Sequence, residues 1–157
     1  MSTNSRIAVM HGTVCKSIYC HWDGYLAHNG AILQEHYDSS QANQLVALGD
    51  LSSLRRDIGE KHAFSQFDVP KEEVEAFKTL TEDMCTFYGR DRDEKGQEWK
   101  VAVNFETFLE QCDMSGADYY YIMENGQWYC GSMNERDPFF QRLVLLSQAL
   151  ESQTVDQ

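Results

Sequence analysis

The chain has 157 residues and a mass of 18.1 kDa, the size of one domain built around a single core. With 42% apolar residues, 24% charged residues and two prolines, the composition supports packing and excludes disordered and fibrous classes, and no apolar run approaches the roughly 20 residues of a membrane span. Twenty-five acids against thirteen Lys and Arg give a net charge of −12, which excludes non-specific attraction to nucleic acid or anionic lipid and favours a basic partner.

Arg6–His11 and Thr13–Trp22 read as a hairpin turning at Gly12, because both runs are rich in β-branched and aromatic residues and glycine makes a tight turn cheap. Alternation sets Val14, Ile18, Cys20 and Trp22 on one face and Cys15, Tyr19 and His21 on the other, more polar face. Tyr19 and His21 are therefore expected to be accessible. Asp23-Gly24-Tyr25 ends the strand, and Leu26, Gly30, Leu33 and Tyr37 predict a helix with one stripe against the sheet. A second helix starts from an N-cap at Ser39 or Ser40, carries Ala42, Leu45, Val46 and Leu48, and stops at Gly49. Asp50–Leu54 predicts a short helical turn in which Asp50, Ser52 and Ser53 serve as caps. Residues 55–67 have no sustained period and predict a loop over the sheet, a candidate lid. Pro70 followed by Glu72, Glu73 and Glu75 marks an acidic surface helix with Val74 and Phe77 as its narrow apolar stripe.

Met84–Gly89 and Trp99–Asn104 predict two further strands around a charged turn at 90–96. Asn104 caps a helix carrying Phe105, Phe108, Leu109 and Cys112 at i, i+3, i+4 and i+7. Asp118–Glu124 and Gln127–Met133 flank Asn125-Gly126, the pair that suits a type I′ turn because both central positions need positive φ. Asp137-Pro138 predicts the start of a last helix with Phe139, Leu143, Leu146 and Leu150 on one stripe. The sum is an α+β fold, a mainly antiparallel sheet of about six strands with helices packed against it, forming a single domain over 1–151 with a polar C-terminal tail at 152–157.

The five cysteines, Cys15, Cys20, Cys85, Cys112 and Cys130, are odd in number and show no framework spacing. With no signal-peptide pattern in MSTNSRIAVMHG, they predict reduced, buried thiols in a cytoplasmic protein. Cys15 and Cys20 fall on opposite faces of their strand, and His28 and His36 stand about 12 Å apart along a helix. No metal or other cofactor is expected. Phosphate-binding glycine signatures and a nucleophile elbow are absent from the sequence.

Four blocks occur in order: KSIYCHWDGY (Lys16–Tyr25), ALGDLSSL (Ala47–Leu54), FYGRDRDE (Phe87–Glu94) and NGQWY (Asn125–Tyr129). Over roughly residues 1–130 the chain thereby resembles a family of small, largely uncharacterised accessory proteins of tailed bacteriophages. It departs from the family pattern in two places. The family's proline-glycine stretch is replaced by Leu26-Ala27-His28-Asn29-Gly30, and the glycine after GRDR by Asp93. The resemblance implies a setting, the host bacterial cytoplasm, and no catalytic residue.

The charge is uneven, with −1 over residues 1–67 and −11 over residues 68–157. The expected function is accordingly an acidic accessory protein that binds and inhibits or redirects a bacterial host or defence protein, in one version by imitating nucleic acid. Its partner-binding surface would hold Glu72, Glu73, Glu75, Glu82 and Asp83. In that version the partner would be nucleic-acid-binding; no direct contact to nucleic acid or membrane is expected in either. The alternative is a small-ligand or nucleotide-binding protein or hydrolytic enzyme, with a pocket near Tyr19, His21, Trp22, Asp23, Tyr25, Arg90 and Arg92. There His21 would act as base, Asp23 would orient it, and the arginines would clamp a phosphate or carboxylate. Tyr119 and Tyr121 form a binding or self-association surface if their face is uncovered, and core if a helix covers it.

Overall fold

The computed structural model describes residues 2–155. At its centre lies the expected hairpin, β1 (Ser5–His11) and β2 (Val14–Cys20), with Gly12 at φ 66° in the turn. The other strands are β3 (Leu51–Ser53), β4 (Thr86–Phe87), β5 (Lys100–Ala102), β6 (Tyr119–Glu124), β7 (Gln127–Ser132) and β8 (Val144–Leu145). All eight join one sheet in the order β4-β3-β2-β1-β6-β7-β8, with β5 paired to β2 off that path. The sheet is mixed: β1–β6 and β2–β3 are parallel, and the remaining pairings are antiparallel. The strand number exceeds the expected six or so and two pairings are parallel, so the sheet is mixed with antiparallel pairings the more numerous, and the α+β class stands.

Helices cover both faces. On the first, Ile7, Val9, Ile18, Cys20, Tyr121, Met123 and Trp128 pack beneath α1 (Ala31–His36), α2 (Ser39–Ala47) and α6 (Leu146–Val155). On the second, Ala8, Met10, Cys15, Tyr120 and Ile122 pack beneath Phe108 and Cys112 of α5 (Phe105–Ser115). The Asn125-Gly126 turn has both residues at positive φ (51° and 79°), as a type I′ turn requires. Asn104 caps α5 as expected, its side chain accepting from the N–H of Thr107 at 2.8 Å.

The second face also buries Arg6, only 1% exposed. Its Nε and Nη2 donate to Ser17 Oγ at 3.0 and 2.9 Å, and Nη2 also reaches the Ser17 carbonyl at 3.2 Å. Among the described residues no carboxylate lies within ion-pair distance, and burial lowers its pKa below the ordinary guanidinium value, opposed by the nearby Cys112, Asp50 and Tyr19.

Local signals were overridden where tertiary partners were stronger. Asp38, not Ser39 or Ser40, caps α2: its carboxylate accepts from Gln41 N at 2.8 Å while the Gln41 side chain returns a bond to Asp38 N. The predicted helical turn at Asp50–Leu54 is instead strand β3, because the end of β2 needs acceptors. His21 N and Trp22 N donate to the carbonyls of Leu51 and Ser52. Helix 26–37 is divided into a π-helical turn at Leu26–Gly30 and α1, though Leu26, Leu33 and Tyr37 do face the core. Met84–Gly89 shrinks to β4 followed by a short helix, α4 (Tyr88–Arg92), which takes up part of the predicted charged turn.

The helix predicted from Asp137 begins only at Leu146. Asp137 makes a turn with Phe139 N at 2.8 Å, Gln141 adopts φ 52° with its N–H on the Ser132 carbonyl, and the segment folds back along β7. Residues 152–155 extend α6 and are not a tail; 156–157 lie outside the described residues.

All five thiols are free and buried. Burial, the first cause at each, pushes Cys15 up to about 11 and Cys20, Cys112 and Cys130 up to about 12. Below the ordinary value of 9.0 both folded and unfolded chains keep these protons. Above it the unfolded chain releases them and the folded chain does not, so stability falls as pH rises from about 9 towards 12. Thermal unfolding followed by circular dichroism is expected to show a Tm that declines steeply above pH 9. Native protein at neutral pH is expected to resist a thiol reagent that labels all five cysteines after denaturation. Rapid native labelling would contradict this account.

Candidate functional site

The first three of the four sequence blocks meet at one corner of the sheet. β5 covers Cys15–Ser17 of β2 and β3 begins opposite Cys20. Between them the Asp50 side chain takes the place of a strand, accepting the N–H of Tyr19 at 2.8 Å. The Asp50 carbonyl accepts from Tyr88 N at 3.2 Å, joining the FYGRDRDE block to the other two. Burial raises the pKa of Asp50, against the Tyr19 hydrogen bond and the charges of Arg6 and Lys100.

On this corner the Tyr19 hydroxyl lies 3.1 Å from His21 Nδ1, and the His21 ring meets Trp22 edge-on at 4.6 Å between centroids. Burial, then Tyr88, raises the Tyr19 phenol to about 12, so it remains a neutral hydrogen-bonding group at physiological pH. Asp23 sits in the left-handed region at φ 56° and its carbonyl accepts from Asn29 N. Among the described residues its carboxylate makes no hydrogen bond to His21. The next residue, Gly24, is packed so tightly that a Cβ would come within 2.7 Å of the Asn4 backbone. Tyr25 is exposed, with its ring 6.0 Å from that of His28. These residues are neighbours on a turn rather than a base with its orienting carboxylate.

The two arginines are engaged within the fold. All five N–H donors of Arg90 have acceptors: Nε and Nη2 fork onto Asp91 at 3.0 and 3.2 Å, Nη1 reaches the carbonyls of Ile58 and Gly59, and Nη2 reaches that of Cys85. No donor is left for an external anion. Arg92 forks onto Glu94 and lies over the rings of Phe64 (4.3 Å) and Tyr88 (5.0 Å). Asp91 is the hub that sequence reasoning missed. Its carboxylate is fully buried, accepting Phe87 N at 2.8 Å and His62 N at 3.1 Å besides Arg90. His62 places Nδ1 2.7 Å from the Ala63 carbonyl oxygen and Nε2 2.9 Å from the Cys85 carbonyl oxygen. Together these contacts fasten residues 58–64 down, and the candidate lid is a clasp.

Tyr121 is core. It is fully buried, its hydroxyl donates to the Gly24 carbonyl at 2.6 Å, and Tyr119 packs half-buried at the edge of the same cluster. Trp128 Nε1 likewise donates to the Tyr37 carbonyl at 2.8 Å. The acidic set behaves differently: Glu72, Glu73, Glu75, Glu82 and Asp83 are all exposed, around the 3₁₀ turn Lys71–Glu73 and α3 (Val74–Thr81).

One cleft, about 690 Å³, runs between Gln34–Gln41 and the β7–α6 side, lined by Tyr37, Trp128 and Ser147 among others. A second, about 430 Å³, lies between α5 and the β7–β8 connection. Neither is lined by His21, Asp23, Arg90 or Arg92. No family model, curated protein or solved structure matches the chain.

Proposed function

We propose that this chain is an acidic interaction protein that binds a bacterial host or defence protein through that protein's basic, nucleic-acid-binding surface, and inhibits or redirects it. The observation that carries the reading is the unneutralised face around α3. Glu72, Glu73 and Glu82 make no ion pair among the described residues, Asp83 meets Arg56 at 3.1 Å, and Glu75 meets Lys78 only at 3.9 Å. Within the same segment Phe67 is 86% and Leu80 63% exposed. Exposed apolar side chains in a net-acidic segment supply both contact area and long-range attraction for a basic surface. The phage setting comes from the four-block resemblance. Against the alternative of a ligand-clamping enzyme, Arg90 and Arg92 are already engaged by Asp91, Glu94 and backbone carbonyls.

Affinity capture from bacterial lysate at about 0.15 M salt is expected to retain one stoichiometric partner and to lose it at high salt. Reversal of Glu72, Glu73, Glu75 and Glu82 to lysine is expected to weaken that complex by about tenfold or more and to flatten its salt dependence. Unchanged affinity in the reversed variant would refute the acidic-surface reading.

A further inference from the structure

The groove between α5 and the β7–β8 connection is lined by Glu106, Glu110, Asp113 and Glu135 around a floor of Leu109, Met133 and Phe140. The carboxylates are exposed, and no Lys or Arg lines the groove. Arg136 adjoins Glu135 in sequence, yet among the described residues none of these four acids makes an ion pair.

Helix energetics account for only part of that pattern: Glu106 stands in the first turn of α5, where the dipole favours an acid. Glu106 and Glu110 are a like-charged i, i+4 pair, which is mildly destabilising. Asp113 stands in the last turn of α5, where the helix dipole favours a cation and no basic residue is present. The floor is semi-exposed: Leu109 and Met133 pack against the second-face core while still lining the groove. Among the described residues no three His, Cys, Asp or Glu side chains converge closely enough to hold a metal ion. The acids therefore line the groove without forming a metal centre.

We propose that this groove seats a basic amphipathic segment of a protein partner, whose aliphatic side chains enter the floor over Leu109, Met133 and Phe140 while its Lys and Arg residues reach the four carboxylates. The inference rests on the reading of the chain as a binder of basic proteins but uses a surface separate from α3. A volume of about 430 Å³ accommodates side chains of a segment, not the footprint of a whole domain. Charge complementarity fixes the occupant's sign, and the apolar floor distinguishes it from a merely polycationic chain.

The test uses the full chain and a fluorescein-labelled peptide of lysine and leucine with leucines at helical spacing, titrated by anisotropy at about 0.15 M salt. The triple variant Glu106→Gln, Glu110→Gln, Asp113→Asn is expected to bind at least tenfold more weakly. The triple Glu60→Gln, Glu98→Gln, Glu151→Gln, which removes the same charge at exposed positions outside both acidic surfaces, is expected to change affinity less than threefold. A peptide with every leucine replaced by serine is expected to bind at least tenfold more weakly than the original. The groove triple should keep a Tm close to that of the wild type, since relief of the Glu106–Glu110 repulsion and of Asp113 at the helix C-terminus offsets the lost charge of Glu106 at its N-terminus, which separates lost binding from lost folding. Equal weakening by both triples, equal binding of the serine peptide, or no binding at all would each overturn the proposal. So would a dimer in sedimentation velocity that the groove triple dissociates, which would assign the trough to a second copy. Because the peptide assay does not involve the lysate partner, failure here leaves the α3 reading standing, and failure of the α3 reversal leaves this one.

Discussion

Asp91→Ala is expected to lower the free energy of unfolding by about 3–5 kcal/mol, the cost of removing one partner from a buried ion pair. The loss has three parts that act together. The Arg90 guanidinium, nearly enclosed, would keep only carbonyl partners, and the backbone N–H groups of Phe87 and His62 would each lose an acceptor. The fastening of residues 58–64 would go with them, since Arg90 Nη1 holds the Ile58 and Gly59 carbonyls only while Asp91 orients its fork. Urea denaturation measures the first effect, and limited proteolysis measures the second, with new cleavage expected within 58–64. A loss under about 1 kcal/mol, with the loop still protected, would show that the carboxylate is dispensable. Asp91→Asn retains one acceptor and is expected to fall between the variant and the wild type.

Phe108→Ala is expected to cost about 3–5 kcal/mol, the range for deleting a large buried aromatic side chain. Phe108 is fully buried and meets Tyr120 edge-on at 5.6 Å between centroids, while Phe105 flanks the pair at 5.8 Å from the Tyr120 ring. α5 contributes only Phe108 and Cys112 as fully buried side chains on this face, so few neighbours can collapse into the space. Phe108→Leu, which retains most of the volume, is expected to recover well over half of the loss in the same denaturation experiment. Equal losses for Ala and Leu would point to the ring contacts with Tyr120, and not volume, as the source.

Elements with strong local chemistry were legible from sequence. The Asn125-Gly126 hairpin, the Asn104 cap and the period of α5 each depend on neighbours a few residues away, and each is present. The Asp50–Leu54 segment illustrates the opposite case. Its Asp and Ser residues read as caps, yet the unsatisfied N–H groups of His21 and Trp22, about 30 positions earlier, draw it into the sheet. The segment after Asp137 failed similarly, because its Asp-Pro start is real as a turn but is diverted by the end of β7.

The site followed the same division. Exposure of the acids at 72–83 was readable from charge and period. The arginines were misjudged because RDRDE has the composition of a solvated loop, and only the long-range carbonyls of Ile58, Gly59 and Cys85 reveal that Arg90 is used up. Asp91 carried one usable clue, an acid set between two arginines three residues after Tyr88. The acids of the α5 groove were visible as an i, i+4, i+7 series, but the floor beneath them comes partly from Met133 and Phe140, which no local pattern connects to α5.

The parallel pairing of β1 with β6 joins Ser5 to Tyr119, and it has a temporal consequence. A ribosome must release about three-quarters of the chain before the central strand acquires its second neighbour, so the nascent hairpin carries Ile7 and Val9 beside an open edge through most of synthesis. Non-local and parallel pairing also slows the search for the native state. Chains interrupted before β6 would retain that exposed edge permanently, and newly made copies would depend on rapid completion, or on chaperones, to avoid joining edge to edge.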